Sequence, residues 1–305
     1  MKLYKRAAAL ILTAATLLSL VPPVSAADDH VTVSSAKEFY ALVQSCTRDV
    51  WSQGVTVELT ADLDLSGSDF QPIPIFQGTF HGNGHTIRGI TYDHKGSTLG
   101  LFRTLTESAV VENLSVEGLL EPQGSASQLG LLAGENYGTI RSCSAKGTVS
   151  GQEDVGGLVG VNGETGRIEG SSCQTQISGV TNVGGIAGQN LGTLEQCVNT
   201  GLLNPDPDQE IPTSVGGIAG LSRGTIQSCS NSGEIGYQHL GYNMGGIVGL
   251  QSGSVLQCSN TGQVWGRKDV GGIVGQFEPN ADVTYGDSPM DRLNSSLAAL
   301  FDEME

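Results

Sequence analysis

Short apolar runs cut by glycine recur along the central part of the chain. The fullest copies read Val-Gly-Gly-Ile-Ala-Gly at residues 183–188 and 215–220, and related copies begin at Val155, Met244 and Val270. Each copy is too short and too rich in glycine to nucleate a helix, and its apolar residues alternate with small or polar ones as in a strand. The copies start roughly 26–32 residues apart, a period that indicates a solenoid whose stacked units share one core.

This pattern predicts an all-β fold, a right-handed parallel β-helix over residues 55–278 with one unit per coil. Seven or eight coils, about 4.8 Å apart, would form a rod roughly 35–40 Å long. Fainter copies at 129–134 and 99–102 extend the repeat towards the N-terminus. Glycines at fixed offsets are expected to supply positive φ angles at the corners. Residues 70–75, which contain two prolines, are expected to form a loop.

A helix is predicted at each end of the solenoid. Residues 27–54 are expected to form an N-terminal cap with a short helix at 35–46, where Ser35 and Glu38 have the spacing of a capping box. Residues 279–305 are expected to form a C-terminal amphipathic helix, which either caps the rod or belongs to a truncated segment. Its apolar face would consist of Met290, Leu293, Leu297, Leu300 or Phe301, and Met304.

The first 26 residues have the pattern of a signal peptide. A positively charged start precedes an apolar run at 7–20, and the small residues 24–26 fit the cleavage rule. We therefore expect a secreted or cell-surface protein that meets the membrane only through its cleaved signal peptide. The formal net charge of −16 argues against nucleic acid and anionic membranes as partners. The 44 glycines suit a rod with many turns.

The repeated core resembles that of the GLUG-repeat proteins, which are secreted or surface-anchored bacterial polypeptides. They include stalk regions near immunoglobulin-A-cleaving metallopeptidases. The resemblance rests on the [Val/Met]-Gly-Gly-[Leu/Ile]-[Val/Ala]-Gly cores and covers roughly residues 55–275. The segment 76–87 also resembles the one that opens such β-helices. The resemblance implies the fold and brings no catalytic, cofactor-binding or metal-binding residues with it.

Cysteine and asparagine recur once per unit. Stacked side chains that point the same way rarely meet the geometry of a disulfide, and no Cys-x-x-Cys pair suggests a metal site. We therefore predict an inward ladder of free, buried thiols rather than disulfides. Its members are Cys143, Cys173, Cys197, Cys229 and Cys258. A second ladder, of amides that hydrogen-bond along the rod, is predicted from Asn199, Asn231 and Asn260.

The sequence predicts no catalytic residues, cofactor or metal. His81 and His85 imitate a metal-binding spacing, but the glycines between them favour a structural turn. The expected function is a non-catalytic secreted or surface module for adhesion, glycan binding or use as a structural stalk. The alternative is a carbohydrate-active enzyme, a polysaccharide lyase or glycosidase, on a β-helix. Its outer-face carboxylates would come from Asp62, Asp64, Glu153, Asp154 and Glu169.

One corner of the rod collects the rare aromatic residues. An exposed tryptophan beside tyrosines offers flat apolar faces with polar tips, which suit sugar rings. We therefore predict a shallow glycan-binding patch, whose partners would be glycans or host and cell-surface proteins. In the alternative interpretation Trp265 packs under the loop and fastens it to the rod. The predicted patch comprises Tyr237, His239, Tyr242 and Trp265, with Arg267 and Lys268 adding positive charge.

Overall fold

The computed structural model describes residues 29–278, except 49 and 209. Within this range the chain is a parallel β-solenoid with four sheets and one helix. Each sheet grows by parallel pairing between corresponding strands of successive coils. The predicted all-β parallel solenoid is thus confirmed. The right-handed sense of coiling stays a prediction, and the signal peptide at 1–26 and the helix at 279–305 lie outside the described residues.

Sheet one follows the solenoid from end to end and has nine strands, where seven or eight coils were predicted. The extra strand comes from the segment that the sequence assigned to the cap. In stacking order its strands are β1 (His30–Val33), β2 (Thr56–Leu59), β5 (Thr79–His81), β8 (Val110–Glu112), β12 (Thr139–Arg141), β16 (Arg167–Glu169), β20 (Thr193–Glu195), β24 (Thr225–Gln227) and β28 (Ser254–Leu256).

Sheet two contains both the longest and the shortest strands. Its strands are β3 (Leu63–Asp64), β6 (Thr86–Tyr92), β9 (Ser115–Leu120), β13 (Ser144–Ser150), β17 (Ser172–Ser178), β21 (Val198–Asn199), β25 (Ser230–Asn231) and β29 (Ser259–Asn260). The strand length falls from seven residues in β17 to two in β21. The outer face of sheet two therefore changes shape halfway along the rod.

Sheets three and four contain the glycine-rich cores. Sheet three consists of β10 (Ser127–Leu129), β14 (Glu153–Gly156), β18 (Thr181–Gly184), β22 (Thr213–Gly216), β26 (Tyr242–Gly245) and β30 (Lys268–Gly271). Sheet four consists of β4 (Ile73–Phe76), β7 (Phe102–Leu105), β11 (Ala133–Asn136), β15 (Val159–Asn162), β19 (Ala187–Asn190), β23 (Ala219–Ser222), β27 (Val248–Gln251) and β31 (Val274–Phe277). The Gly-Gly step thus turns the chain from sheet three into sheet four.

Most of the interior consists of apolar side chains that stack from one coil to the next. In sheet one the middle residue of each strand points inward, so that Ile140, Ile168, Leu194 and Ile226 stack directly on one another. All four have no exposed surface. Because burying one such side chain stabilises the fold by about 1.5–3 kcal/mol, the stack is the main source of stability. One unit alone could not bury this face.

The N-terminal end is closed by helix α1 (Ala36–Ser45). The side chain of Ser35 accepts a hydrogen bond from the Glu38 backbone N–H, and the Glu38 carboxylate accepts one from the Ser34 N–H at 2.8 Å. Its apolar side chains Phe39, Leu42 and Val43 are buried against the first coils. The predicted helix and its capping interaction are confirmed.

The prediction for residues 70–75 is wrong. Instead of a loop throughout, the segment enters β4, which pairs with β7 at Ile73 and Ile75. β4 is the edge strand of sheet four and has only this one neighbour in the sheet. An edge strand tolerates Pro74, because only one side of its backbone must take part in the ladder.

The prediction that repeat glycines supply positive φ angles is also wrong. Left-handed backbone recurs instead on short polar residues at the second position of the strands of sheet three: Asp154, Asn182, Ser214, Asn243 and Asp269 all have φ between 52° and 57°. Asparagine and aspartate tolerate this conformation better than most residues. The second glycine of the core has a different role, because its missing side chain allows a close approach. A Cβ on Gly217 would lie 2.3 Å from the Gly246 carbonyl oxygen and 2.4 Å from the Asn231 Cγ.

The cysteine ladder is confirmed in part. All six cysteines are free, and four of the five repeat cysteines are buried. Cys173, however, pairs in register with Ala145 and Asn199, so it belongs to the asparagine column. Ser171 takes its place in the cysteine column, where its hydroxyl accepts a hydrogen bond from the Cys143 N–H. Extra residues in the 155–172 unit hide this two-residue offset in the sequence.

Two amide ladders hydrogen-bond along the interior. The predicted one is confirmed, because the Nδ2 groups of Asn199 and Asn231 donate to the Oδ1 atoms of Asn231 and Asn260, each at 2.8 Å. The sequence reasoning missed a second ladder in sheet four, formed by Asn136, Asn162 and Asn190. The signal for it was present as Asn-x-Gly at Asn136 and Asn190. The Asn136 side chain exchanges hydrogen bonds with the backbone of Gly138, whereas Asn162, in the unit with extra residues, donates to the carbonyl oxygen of Gly166.

The second ladder breaks at Gln251. The Asn190 amide donates to Ser222, and Gln251 stacks next in register. Gln251 has no exposed surface, and among the described residues neither its Oε1 nor its Nε2 has a hydrogen-bond partner. Its side chain is one methylene longer than those of the asparagines in the ladder. An unpaired buried amide destabilises a fold by about 1–3 kcal/mol.

We expect Gln251→Asn to raise the free energy of unfolding by about 1 kcal/mol, because the shorter side chain restores the Asn-x-Gly hydrogen bonds. Urea denaturation measures the change. Gln227→Asn on the partly exposed outer face of sheet one is the control and should leave stability within about 0.5 kcal/mol. A Gln251→Asn variant no more stable than the natural chain would show that Gln251 is already satisfied.

Candidate functional site

The candidate glycan-binding patch lies where the chain leaves sheet two near the C-terminal end of the described solenoid. Residues 236–241 form an extended corner in which the Leu240 N–H donates to the Tyr237 carbonyl oxygen at 3.2 Å. Tyr237 is 43% exposed, and His239 is exposed with a left-handed φ of 60°. The corner thus presents two ring side chains to solvent on a tight turn.

Trp265 lies directly beside this corner on the next coil, as the repeat offsets predict. Its backbone N–H donates to the Ile235 carbonyl oxygen at 2.8 Å, and Ile235 is paired with the residue before Trp265. The indole is half-buried, and its Nε1 donates to the Glu234 Oε1 at 2.8 Å. Glu234 therefore fixes the ring while part of the ring stays open to solvent. The sequence reasoning missed this role of Glu234.

Tyr242 lies on the other side of the corner, at the start of β26. It pairs in register with Lys268, and the Arg267 guanidinium carbon lies 5.9 Å from the centre of the Tyr242 ring. This distance permits a cation–π interaction, worth about 0.5–1 kcal/mol at an exposed site. The predicted positive charge is therefore present beside the patch, and Arg267 also orients the tyrosine.

The structure brings the patch residues to one corner without stacking them on each other. Trp265 faces Glu234 on the side of sheet two, Tyr242 faces Arg267 on the side of sheet three, and Tyr237 lies on the loop between them. Among the described residues no ring contact joins Trp265 to either tyrosine. The arrangement suits a ligand that spans the corner better than one that enters a pocket.

The enzyme alternative requires a pair of outer-face carboxylates. Four of the five candidates bind a neighbouring residue of the solenoid. Asp62 accepts hydrogen bonds from the Thr86 backbone N–H and the His85 ring, and the first of these contributes most to lowering its pKa. Hydrogen bonds from Ser66, followed by Arg88, lower the pKa of Asp64 to about 2. Hydrogen bonds from the next coil, and for Asp64 also from Ser66 on its own coil, thus favour the ionised form of both carboxylates.

The remaining carboxylates lie on other sheets and other coils. Glu169 contacts Arg167, which also reaches Glu195 on the next coil of sheet one. Burial raises the pKa of Asp154, and the hydrogen bond from the Asn182 amide opposes that shift. Glu153 is exposed on sheet three, next to Asp154 in the chain. These positions favour structural roles in the corners and ladders over a pair of carboxylates that flank a scissile bond.

The histidine pair lies in a turn, as favoured by the sequence. The chain between His81 and His85 passes through left-handed backbone at Asn83 and Gly84. The His81 Nδ1 lies 2.7 Å from Glu112 Oε1, and the His85 Nδ1 lies 3.1 Å from Asp62 Oδ1. Within residues 29–278 no group of three or more His, Cys, Asp or Glu side chains is placed to hold a metal ion.

The buried thiols are placed as inert packing groups. Burial raises the pKa of Cys143 to about 12 and that of Cys173 to about 11. The thiolate is the reactive form of cysteine, so these thiols stay neutral and unreactive near pH 8. Cys258, on the last described coil, is less buried than the other repeat cysteines.

A polar face on sheet two is the part of the surface that the sequence reasoning overlooked. Two adjoining hollows of about 320 Å³ and 360 Å³ lie on it and share Lys146, Gln174 and Thr200. The strict alternation in β17 turns Ser172, Gln174 and Gln176 outward. In the sequence, the alternation was used to find the inward residues. The polar residues between them would have indicated this face.

The fold and its repeat define a class, the parallel β-solenoids that carry the GLUG motif. The model of the GLUG motif family matches residues 125–150, a stretch that includes the copy judged fainter from the sequence. The predicted resemblance to GLUG-repeat proteins is confirmed. No helix within the described part of the chain has the length and apolar character that crossing a bilayer requires.

Relatives with this repeat are much longer than the present chain. Halomucin from Haloquadratum walsbyi is 34% identical over 145 residues, which are 42% of this chain and 2% of halomucin. A protein of Evansella cellulosilytica, named as a candidate Gly-rich membrane protein, is 35% identical over 96 residues, which are 30% of this chain and 11% of that protein. The chain therefore spans only a small part of the curated relatives it matches.

One solved structure shares the fold over most of the chain. It is the crystal structure of a protein from Bacteroides ovatus, described as a candidate immunoglobulin A1 protease. The alignment covers 84% of this chain and 79% of that chain, with a TM-score of 0.55 and 18% sequence identity. A likeness at this identity supports the β-solenoid architecture alone.

Proposed function

We propose that this chain is a non-catalytic β-solenoid module of a secreted or cell-surface protein, and that it binds glycans at the corner around Trp265. The names of two relatives, a halomucin and a membrane protein, support a location outside the cytoplasm. The predicted signal peptide supports the same location. A rigid rod with a shared core suits display or adhesion, because it holds a binding surface at a fixed distance from its point of attachment.

The partly exposed indole of Trp265 is the observation on which the glycan proposal rests. Its Nε1 is held by Glu234, so the ring is fixed before a ligand arrives and little conformational entropy is lost on binding. Tyr237 and the Tyr242–Arg267 pair extend the surface around it. Aromatic faces with polar tips suit the apolar faces and hydroxyl groups of sugar rings.

The structure supports the alternative function, a carbohydrate-active enzyme, less well than it supports glycan binding. A glycosidase uses a pair of carboxylates that flank one bond, about 5–5.5 Å or 6.5–9.5 Å apart. Asp62 and Asp64 are instead engaged by residues of the next coil, Glu169 by Arg167 of its own strand, and Asp154 by Asn182. Hydrolysis or elimination of any bound glycan by the purified chain would reverse this preference.

A glycan array tests the proposal directly. We expect the chain to bind a defined set of glycans and Trp265→Ala to weaken that binding at least tenfold, because the flat apolar face is lost. The matched control is Trp51→Ala, which removes the other, also partly buried tryptophan at the far end of the rod. Circular dichroism checks that both variants keep their strands. Unchanged binding by Trp265→Ala, or an array without any bound glycan, would rule the proposal out.

A further inference from the structure

We infer that the bound glycan is a linear, uncharged oligosaccharide that lies along the outer face of sheet two, from Trp265 towards Lys146. This inference rests on the proposed glycan binding and names its ligand class and path. The indole of Trp265 turns towards Glu234, which precedes Ile235 on the sheet-two side of the corner. Trp265 therefore marks one end of this face.

The pairing register makes the path continuous. Thr148 pairs with Gln176. The bridges from Ile177 through Leu203 and Ile235 to Val264 place the residue before each of them in one outward column. This column is Gln176, Leu202, Glu234 and Gln263, and Trp265 lies two residues beyond its last member. A parallel column begins with Lys146 and Gln174. From the coil of Lys146 to that of Trp265 there are four steps of about 4.8 Å, so the face extends roughly 19 Å. It can accept several sugar rings in a row.

The chemistry of the face fits hydroxyl-rich rings. The two hollows share Lys146, Gln174 and Thr200, which together offer ammonium, amide and hydroxyl groups. Gln174 and Gln176 are exposed, and each amide can donate and accept at once. Leu202, 42% exposed, supplies an apolar contact between these amides and Glu234. Alternating apolar and hydrogen-bonding groups match a ring that has an apolar face and a polar edge.

Two other occupants fit this face less well. An extended peptide gains most of its affinity by adding to an open strand edge, whereas strands β13 and β17 are paired on both sides. An acidic polymer would meet Glu117 and Glu234 on a protein with a net charge of −16. A neutral linear glycan has neither difficulty.

Chain-length dependence tests the path. Isothermal titration uses cello-, xylo- and chito-oligosaccharides of two to six units, with the full chain. We expect affinity to rise at least tenfold from the shortest to the longest members of the series that binds. The variants Gln174→Ala, Gln176→Ala and Lys146→Ala should each weaken binding of the longest member severalfold and leave the shortest unchanged. Gln227→Ala on sheet one is the matched control.

The outcomes separate this inference from the proposed function. If Trp265→Ala abolishes binding while the sheet-two variants and chain length have no effect, the corner binds glycan but the path is wrong. If no glycan binds, on the array or in titration, the proposed function fails as well. A uronic-acid oligosaccharide of the same length is titrated in parallel, and tighter binding of this acidic probe, which weakens steeply between 50 and 500 mM salt, would overturn the uncharged assignment.

Discussion

Gly217→Val is expected to lower the free energy of unfolding by about 3 kcal/mol, because a side chain at this position has no space. The nearest atoms to an added Cβ would be the Gly246 carbonyl oxygen at 2.3 Å and the Asn231 amide at 2.4 Å. The first belongs to the backbone of the next coil, and the second belongs to the buried amide ladder. Neither can move without breaking contacts that bind the coils together.

The same core in the last described coil provides the control. A Cβ on Gly272, the equivalent glycine, would have no heavy atom of the described residues within 4 Å. Gly272→Val should therefore change stability by no more than about 0.5 kcal/mol. Equilibrium unfolding in guanidinium chloride compares the two variants. Equal losses at Gly217 and Gly272 would mean that strand propensity, and not close approach between coils, explains the recurrent glycine.

Asn231→Ala is the second substitution with a large expected effect, again about 3 kcal/mol. Asn231 is 2% exposed and accepts from the Asn199 amide above it while donating to Asn260 below. It also exchanges hydrogen bonds with both backbone groups of Gly233. Alanine removes all of these, and each buried group left without a partner costs about 1–3 kcal/mol.

The end of the ladder provides a graded comparison. Asn260 accepts from Asn231 and is only partly buried, so water can replace part of what Asn260→Ala removes. Equilibrium unfolding in guanidinium chloride measures both asparagine variants, and we expect Asn260→Ala to cost about 1 kcal/mol. If Asn231→Ala costs no more than Asn260→Ala, the ladder does not couple the coils as we describe.

The solenoid could be predicted from the sequence because the pattern that indicates it is repeated in every unit. A period of apolar residues and glycines appears in each unit, and errors in one unit are corrected by the others. The capped helix α1 was also predictable, since Ser35 and Glu38 have the spacing of a local hydrogen-bond motif. The ladder of Asn199, Asn231 and Asn260 could be predicted because each of these residues lies two positions after a repeat cysteine.

The features that failed or were missed depend on register between coils. Counting from each core placed Cys173 in the thiol column, whereas pairing puts it opposite Ala145 and Asn199. The strands of sheet three have left-handed backbone at polar residues such as Asn182, and nothing in the sequence distinguishes these residues from other polar positions. The hydrogen bond between Trp265 and Glu234 joins residues 31 positions apart, so it becomes visible only once the coils are stacked.

The most direct test of glycan binding at the Trp265 corner is a fluorescence titration with Trp265 as the sole tryptophan. Trp51→Phe removes the only other tryptophan. We expect a glycan identified on the array to change the intensity and wavelength of Trp265 emission saturably, with the same dissociation constant as calorimetry. Saturable binding by calorimetry with no change in Trp265 emission would place the ligand elsewhere on the rod and contradict the account.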